Sequence, residues 1–345
     1  MTLKKATYDK LIKPDGQPQY GRFNKPFAEI NYRDFDYCNN MDKPASRLQK
    51  HFHYNQFHFL GIHSPDFTMA CAIANVRYVA NAFVYLFNHQ SGELHQRSFI
   101  QPLGLRCKQS NQPFHGLSRF TKGDAQFEIL GRSAPNRYDL SVKIGKSISI
   151  DATITAPDTL EPTALCTHTG YNGWAYTQKL NTLSVEGYIH WKQHTLALEQ
   201  DRCLASSDWS CGYMRRETAW NWASISAFLP DQTRLGLNLA CGVNETSFNE
   251  NTLWINGTAH ELESAVFEFD RKNRMAPWQI TTRDRKVELT FVPEARHEEK
   301  VNAYLVASNF SQLPGRYYGT VQDRDCHTYK LDGVYGLAED HYAKW

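Results

Sequence analysis

The residues best suited to chemistry crowd into one block, Asp208-Trp-Ser-Cys-Gly-Tyr-Met-Arg-Arg-Glu-Thr-Ala-Trp-Asn-Trp222. Asp208 is the candidate acid. A carboxyl set against Trp209 in a pocket poor in water would have its pKa raised by up to about 3–5 units if fully buried, and would then hold a proton at neutral pH. A nearby Arg would reverse that shift, and Asp208 also has a plainer reading as a turn cap or as the partner of Arg215 or Arg216. Read as a loop followed by a strand, alternation puts Arg215, Glu217, Ala219 and Asn221 on one face and Arg216, Thr218, Trp220 and Trp222 on the other. Charged and amide groups beside so many rings are costly to bury unless paired. They form either an Arg–Glu network that holds a barrel together or the lining of a cavity. In a cavity, Trp209, Trp220 and Trp222 would stabilise a cationic intermediate through their ring faces, by ~2 kcal/mol or more each when desolvated.

Smaller groups of residues add to this block. In Tyr171-Asn-Gly-Trp-Ala-Tyr-Thr-Gln-Lys179 a strand would carry Trp174 and Tyr176 on one face and Thr177 and Lys179 on the other, as a pocket wall or as the wall of a domain junction. Asn238, between Leu237 and Leu239, is a ligand-binding candidate, as is Glu250. The segments Asn244-Glu245 and Asn249-Glu250-Asn251 also read simply as turn formers. Glu339 and His341, two residues apart, would share a face of an extended strand and could act as an acid–base couple or tie that strand down as a salt bridge. His51, His53, His58 and His63 invite a metal reading, but on a strand the five-residue step from His53 turns His58 to the opposite face. No metal is expected.

Several chemistries are excluded by missing motifs. The chain has no G-x-x-x-x-G-K-S/T phosphate loop, no G-x-G-x-x-G after a strand, no G-x-S-x-G elbow and no H-E-x-x-H. No cofactor is implied. Formal net charge is +2 with no long basic run, so nucleic acid is not an expected partner. No stretch approaches the ~20 apolar residues that span a bilayer, and the N-terminal residues lack the apolar core of a signal peptide. The eight cysteines contain no C-x-x-C pair. These features together predict a cytoplasmic protein with reduced thiols.

The elements that must position these residues are strands. With 18 Tyr, 19 Phe and 8 Trp, the composition favours them. Tyr138, Leu140, Val142 and Ile144 alternate on one face, as do Ile148, Ile150, Ala152 and Ile154, with Gly145-Lys146 as the turn between them. Further strands are read over 67–76, 78–89 and 94–101, then around Leu235, Leu237 and Leu239, Ala265 to Phe269, and Val287 to Phe291. No amphipathic helix of three turns appears. About twenty short strands at hairpin spacing imply antiparallel barrels or sandwiches, whose closure removes exposed edges. A chain of 345 residues suggests two units of roughly 150–180 residues. The organisation expected is an irregular strap over 1–50, rich in Pro and Gly, a first β domain over 51–180 and a second over 181–345, with the join after the Pro- and Gly-bearing loop 156–173.

At these same blocks a resemblance appears. Gly170-Tyr-Asn-Gly-Trp-Ala-Tyr-Thr-Gln-Lys179, Asp208-Trp209, Arg215-Arg216, Trp220-Asn-Trp-Ala-Ser224, Gly236-Leu-Asn-Leu239, Glu250-Asn251, Pro277-Trp278 and Glu339-Asp-His-Tyr-Ala-Lys-Trp345 resemble the bacterial domain-of-unknown-function family 2804. That family is similar in fold to the double-lipocalin group of hydroxyneurosporene synthase and tocopherol cyclase, which hydrate or cyclise apolar polyenes by protonating a double bond. The resemblance implies two lipocalin-like halves and a pocket for a small apolar or amphipathic molecule. It carries over no catalytic residue, and a shared fold does not establish a shared function.

Three functions stay open on the sequence. The first is an acid-catalysed hydratase, cyclase or isomerase of an unsaturated compound, with Asp208 as proton donor. The second is a non-catalytic lipocalin-type carrier. The third is a carbohydrate-active protein in which Trp rings stack on sugars and Asp208 works with Glu250 or Glu339.

Overall fold

The computed structural model of the chain describes residues 8–133, 135–243 and 247–345. The fold is all-β. Among the described residues the helical elements are the six-residue helix Arg47–Phe52, capped by Ser46, and the short turn Tyr32–Asp34. The expected hairpin forms: Asn136–Ile144 pairs antiparallel with Ile148–Thr155, with Ile144 opposite Ile148 and Tyr138 opposite Ile154. Its alternating apolar side chains are buried in one core, as a pleated strand with one face turned inward requires.

Two antiparallel sheets account for nearly all of the strands. The first follows the path Leu94–Pro102, Val79–Asn88, Phe67–Asn75, Asn55–His63, Leu204–Tyr213, Gly173–Trp191, Ile148–Thr155, Asn136–Ile144, Ala125–Ser133 and Gly116–Lys122. It curls until its edges meet through side chains: Gln101 Nε2 donates to the Thr121 carbonyl and Lys122 Nζ to the Ile100 carbonyl, both at 2.8 Å. The result is a nearly closed barrel. The second sheet forms a half-barrel. Its centre is made of Arg234–Cys241, Glu217–Phe228, Thr328–Lys344 and Ala307–Gln322, in that order.

The expected join near residue 180 falls inside the strand Gly173–Trp191, and the chain passes from one sheet to the other between Tyr213 and Glu217. The reason is pairing: Leu204–Tyr213 is needed between Asn55–His63 and Gly173–Trp191 to complete the first barrel. The segment 156–173, expected as loop, likewise contains the strand Thr163–Thr169. What does lie near residue 180 is a bulge, with a register shift between Leu180 and Leu183 and Thr182 at φ +63°. It swings Asn181 towards the second sheet, where its amide donates to Ser224 Oγ (2.9 Å) and to the Ile225 carbonyl (2.7 Å). Gly236 permits this approach, because a Cβ there would stand 2.7 Å from the Asn181 Cβ.

The N-terminal segment straps the first sheet. Leu11, Ile12, Phe27, Ile30 and Phe35 cover Trp174, Tyr176, Trp209 and Tyr213 in a separate apolar cluster. Gly21–Phe23 adds a short strand to Thr163–Thr169. From that strand Arg22 reaches the second sheet, donating to Thr252 Oγ1 at 2.8 Å.

Candidate functional site

Where the two sheets face each other they leave a cavity of about 250 Å³. Period-two alternation decides which side chains reach it. From the first sheet come Thr177, Lys179, Asp208, Ser210, Phe57, Phe59 and Phe83; from the second come Thr218, Trp220, Trp222, Phe310, Glu339, His341 and Trp345. Phe59, Phe83, Trp222 and Phe310 also pack together as one cluster drawn from both sheets.

A polar cluster occupies one part of the wall. Lys179 is buried, and its ammonium forms an ion pair with Asp208 and a second, at 3.2 Å, with Glu250 Oε1. Ser210 Oγ donates to Asp208 Oδ1 at 2.7 Å and lies 2.7 Å from Thr177 Oγ1. Burial pushes the Lys179 pKa down, but the charges of Asp208 and Glu250 outweigh it and hold the ammonium above its ordinary value. Lys179 is therefore protonated at neutral pH. Asn238 extends the cluster into the second sheet. Its amide donates to the Glu250 carbonyl at 3.0 Å, and its Oδ1 accepts from Trp222 Nε1 at 2.8 Å.

A second cluster surrounds Glu339. Its carboxylate accepts from Trp220 Nε1 at 2.8 Å and from Gln312 Nε2 at 2.9 Å, and Tyr85 donates to Gln312 Oε1 at 2.6 Å. His341 shares the strand face, as its spacing requires, with Nδ1 3.7 Å from Glu339 and Nε2 3.0 Å from Ser308 Oγ. Nearby, Glu299 accepts from Asn81 at 2.9 Å and stands 3.4 Å from His297. Burial pushes the Glu299 carboxyl up, yet contacts with His297, Ser98 and Asn81 outweigh it and keep the carboxyl below its ordinary value.

The family model described as Domain of unknown function (DUF2804) matches residues 3–345. The chain belongs to that family. No curated protein matches this DUF2804 chain. Among solved structures it is similar to a protein from Nitrosomonas europaea provisionally called AttH, with 14% identity, a TM-score of 0.46, and 85% of this chain and 92% of that one covered. It is also similar to kievitone hydratase from Nectria haematococca, with 12% identity, a TM-score of 0.49, and 84% and 89% covered. A third similar structure is CghA, with 7% identity, a TM-score of 0.41, and 83% and 87% covered.

The structure of this DUF2804 member brings together some of the residues singled out in its sequence and separates others. Asp208, Trp220, Trp222, Glu250, Glu339 and His341 all line the cavity, and Asn238 supports it from the wall. Trp209 does not, because it follows Asp208 in the strand and so points the other way, into the cluster under the strap with Trp174 and Tyr176. Tyr176 touches the cavity wall, but its ring packs edge-on against Trp209 at 6.0 Å. Asn221 also faces away, donating to Asp340 at 3.1 Å.

The two arginines of the block are exposed. Arg215 reaches the cavity rim and donates to the Gly242 carbonyl at 2.8 Å; Arg216 donates to the Leu305 carbonyl at 2.5 Å. In place of either, Lys179 is the cation on Asp208. Sequence reasoning put Lys179 on a strand face without giving it a role; the signal was a lone ammonium in a run of buried, largely uncharged residues. Phe57, Phe59, Phe83, Phe310 and Trp345 were also missed, since rings on two distant sets of strands carry no local mark of a shared wall.

The histidines divide differently from the expectation of a shared strand. His51 belongs to the helix Arg47–Phe52 and His53 caps its end, while His58 and His63 lie on Asn55–His63. Both of the latter are buried, and burial pushes their pKa down to about 3. Among the described residues, the one group spaced for a metal is Asp323, Asp325 and His327. There Asp323 accepts the backbone N–H groups of Asp325 and His327 at 2.9 Å, which is the work of a turn. The pair Asn244-Glu245 lies outside the described residues.

Proposed function

We propose that this chain binds one small, largely apolar molecule between its two sheets, and that Lys179, Asp208 and Glu250 orient the molecule's polar end. The observation that carries this reading is the cavity of about 250 Å³ walled by Phe57, Phe59, Phe83, Trp220, Trp222 and Phe310. An apolar cavity of about 150 Å³ holds benzene, so the space suits a body of one or two rings. Burying such a body is favourable by about 25 cal/mol per Å² of apolar surface. The few polar groups on the wall then select its orientation. A mainly apolar wall with several rings supports an apolar ligand over a sugar, whose hydroxyls would each need a partner.

Proton transfer on the bound molecule is the second reading, favoured by the position of Asp208. Its side chain is 24% exposed and lines the cavity. From there Asp208 can reach a bound molecule or a water beside it, while the Lys179 ammonium can steady negative charge developing on that molecule. Hydration, cyclisation or isomerisation of an unsaturated compound falls within reach of such a pair.

Solvent extraction of the purified protein followed by mass spectrometry tests the binding reading. A compound with a mainly hydrocarbon body should be released in near-stoichiometric amount. A protein that releases none, and whose Trp fluorescence responds to no apolar probe, refutes it. The variant Asp208→Asn separates the two readings, since the amide keeps the shape but cannot take up a proton. Turnover of the released compound should fall by orders of magnitude with binding retained if Asp208 transfers protons; a pure carrier turns nothing over before or after the change.

A further inference from the structure

We propose that the molecule held between the sheets carries a positive charge, an amine or quaternary ammonium attached to a ring-containing apolar body. This rests on the ligand-binding reading above and adds the charge of the ligand.

The first ground is electrostatic. Asp208, Glu250, Glu299 and Glu339 all line the cavity, and Glu250 and Glu339 are buried. Among the described residues on the wall, Lys179 is the one buried cation, and it is shared between two of these carboxylates. Behind the wall Arg22 also faces Glu250 and is itself paired with Glu261 at 3.0 Å; Lys179 and Arg22 counted against Asp208, Glu250 and Glu261 leave a net formal charge of −1. Arg215 is exposed and directed to a backbone carbonyl, and Lys344 lies 3.8 Å from Glu217. His341 and His297 face Glu339 and Glu299, at 3.7 and 3.4 Å, and add positive charge only when protonated. In surroundings of low dielectric constant a cation gains from this excess and an anion is repelled.

The second ground is the state of the indoles. Trp220 donates its N–H to the Glu339 carboxylate. Trp222 donates to the neutral amide oxygen of Asn238, whose own amide reaches the Glu250 backbone carbonyl at 3.0 Å and the Glu250 carboxylate at 3.4 Å. Donation towards a negative acceptor moves electron density into the ring and deepens its negative face. With both N–H edges engaged, what these cavity-lining indoles offer a ligand is ring surface, beside the contacts of Trp220 with His341 (4.2 Å) and of Trp222 with Phe59 (5.5 Å). Ring faces attract ammonium groups within about 6 Å, Trp most strongly. Carboxylates behind electron-rich rings are a chemistry suited to quaternary and protonated amines.

Three probes with one naphthalene body test this on the full chain by isothermal titration calorimetry at neutral pH: (2-naphthylmethyl)trimethylammonium, 2-naphthylmethanol and 2-naphthylacetate. The ammonium should bind at least about tenfold more tightly than the alcohol, with the carboxylate weakest. Equal affinities for ammonium and alcohol, or tightest binding of the carboxylate, overturn the inference and leave the apolar-ligand reading standing. Failure of all three to bind overturns both. Glu339→Gln should narrow the ammonium-to-alcohol ratio, and an unchanged ratio in a folded variant overturns the role given to the wall carboxylates. The comparison on the unmodified chain is decisive even where that variant fails to fold.

Discussion

Replacing Lys179 with Met keeps the aliphatic stem and removes the ammonium between Asp208 and Glu250. Lys179 is 5% exposed and Glu250 2%, so the variant leaves one carboxylate almost wholly buried and a second partly buried, with no cation between them. Removing one partner of a buried ion pair costs about 3–5 kcal/mol. Asp208 is 24% exposed and keeps its hydrogen bond from Ser210, which places the expected loss at the lower end, about 3 kcal/mol. Urea unfolding with linear extrapolation measures it. The pH dependence gives a second check. The folded-state pKa of Lys179 lies above its ordinary 10.5, so its contribution is complete below 10.5 and is lost as pH rises through the raised folded value. The difference between unmodified and variant protein should therefore be flat from neutral pH to 10.5 and shrink above it. Neutralising Asp208 and Glu250 in the Lys179→Met background should restore much of the loss, because the penalty comes from uncompensated charge. A variant within about 1 kcal/mol of the unmodified protein at neutral pH, or a gap that widens above pH 10.5, would refute the reasoning.

Other consequences can be measured with the same preparations. Burial holds His58 and His63 near a pKa of about 3, so only the unfolded chain takes up their protons as pH falls below 6.5, and each lowers stability by about 1 kcal/mol between pH 6.5 and 5.5. His58→Leu should flatten the measured fall by that amount; an unchanged slope means that His58 is not buried neutral. Trp222→Ala should cost about 3–5 kcal/mol and weaken the binding of an apolar probe, and retention of both stability and affinity would remove Trp222 from the wall. At Gly212, with φ +153°, a Cβ would lie 2.1 Å from the Trp174 carbonyl oxygen. Gly212→Ala should therefore destabilise by at least about 1–3 kcal/mol in thermal or urea unfolding. A thiol reagent should find eight free cysteines after denaturation without reductant, and exposed Cys326 should react before buried Cys71, Cys166, Cys203 and Cys211; recovery of fewer than eight would show disulfides.

Much of this protein was legible as local pattern. Alternation foretold that Thr218, Trp220 and Trp222 share one strand face and that Glu339 and His341 share another, and the Gly145-Lys146 hairpin forms in the register its apolar residues demand. These features follow from the pleat, which sends successive side chains to opposite faces whatever the strand pairs with. The excess of aromatic residues and the hairpin spacing likewise set the all-β class, because such side chains fit a pleated, half-buried surface.

Only the tertiary structure decided which faces meet. Alternation separates Asp208 from Trp209 but cannot say that one side enters a cavity and the other the cluster beneath the strap. The cation on Asp208 comes from Lys179, its direct neighbour across two paired strands, and not from Arg215 or Arg216, which are close in sequence but lie in the connection that leads into the second sheet. The point at which the chain passes between the sheets has the same origin. Pro and Gly mark where a chain can turn, but Leu204–Tyr213 was recruited into the first barrel by the need to fill a gap between two strands distant in sequence. Local geometry is written residue by residue, whereas strand partners, charge partners and the cavity between two sheets depend on which long-range pairing closes the sheet and buries the most apolar surface at once.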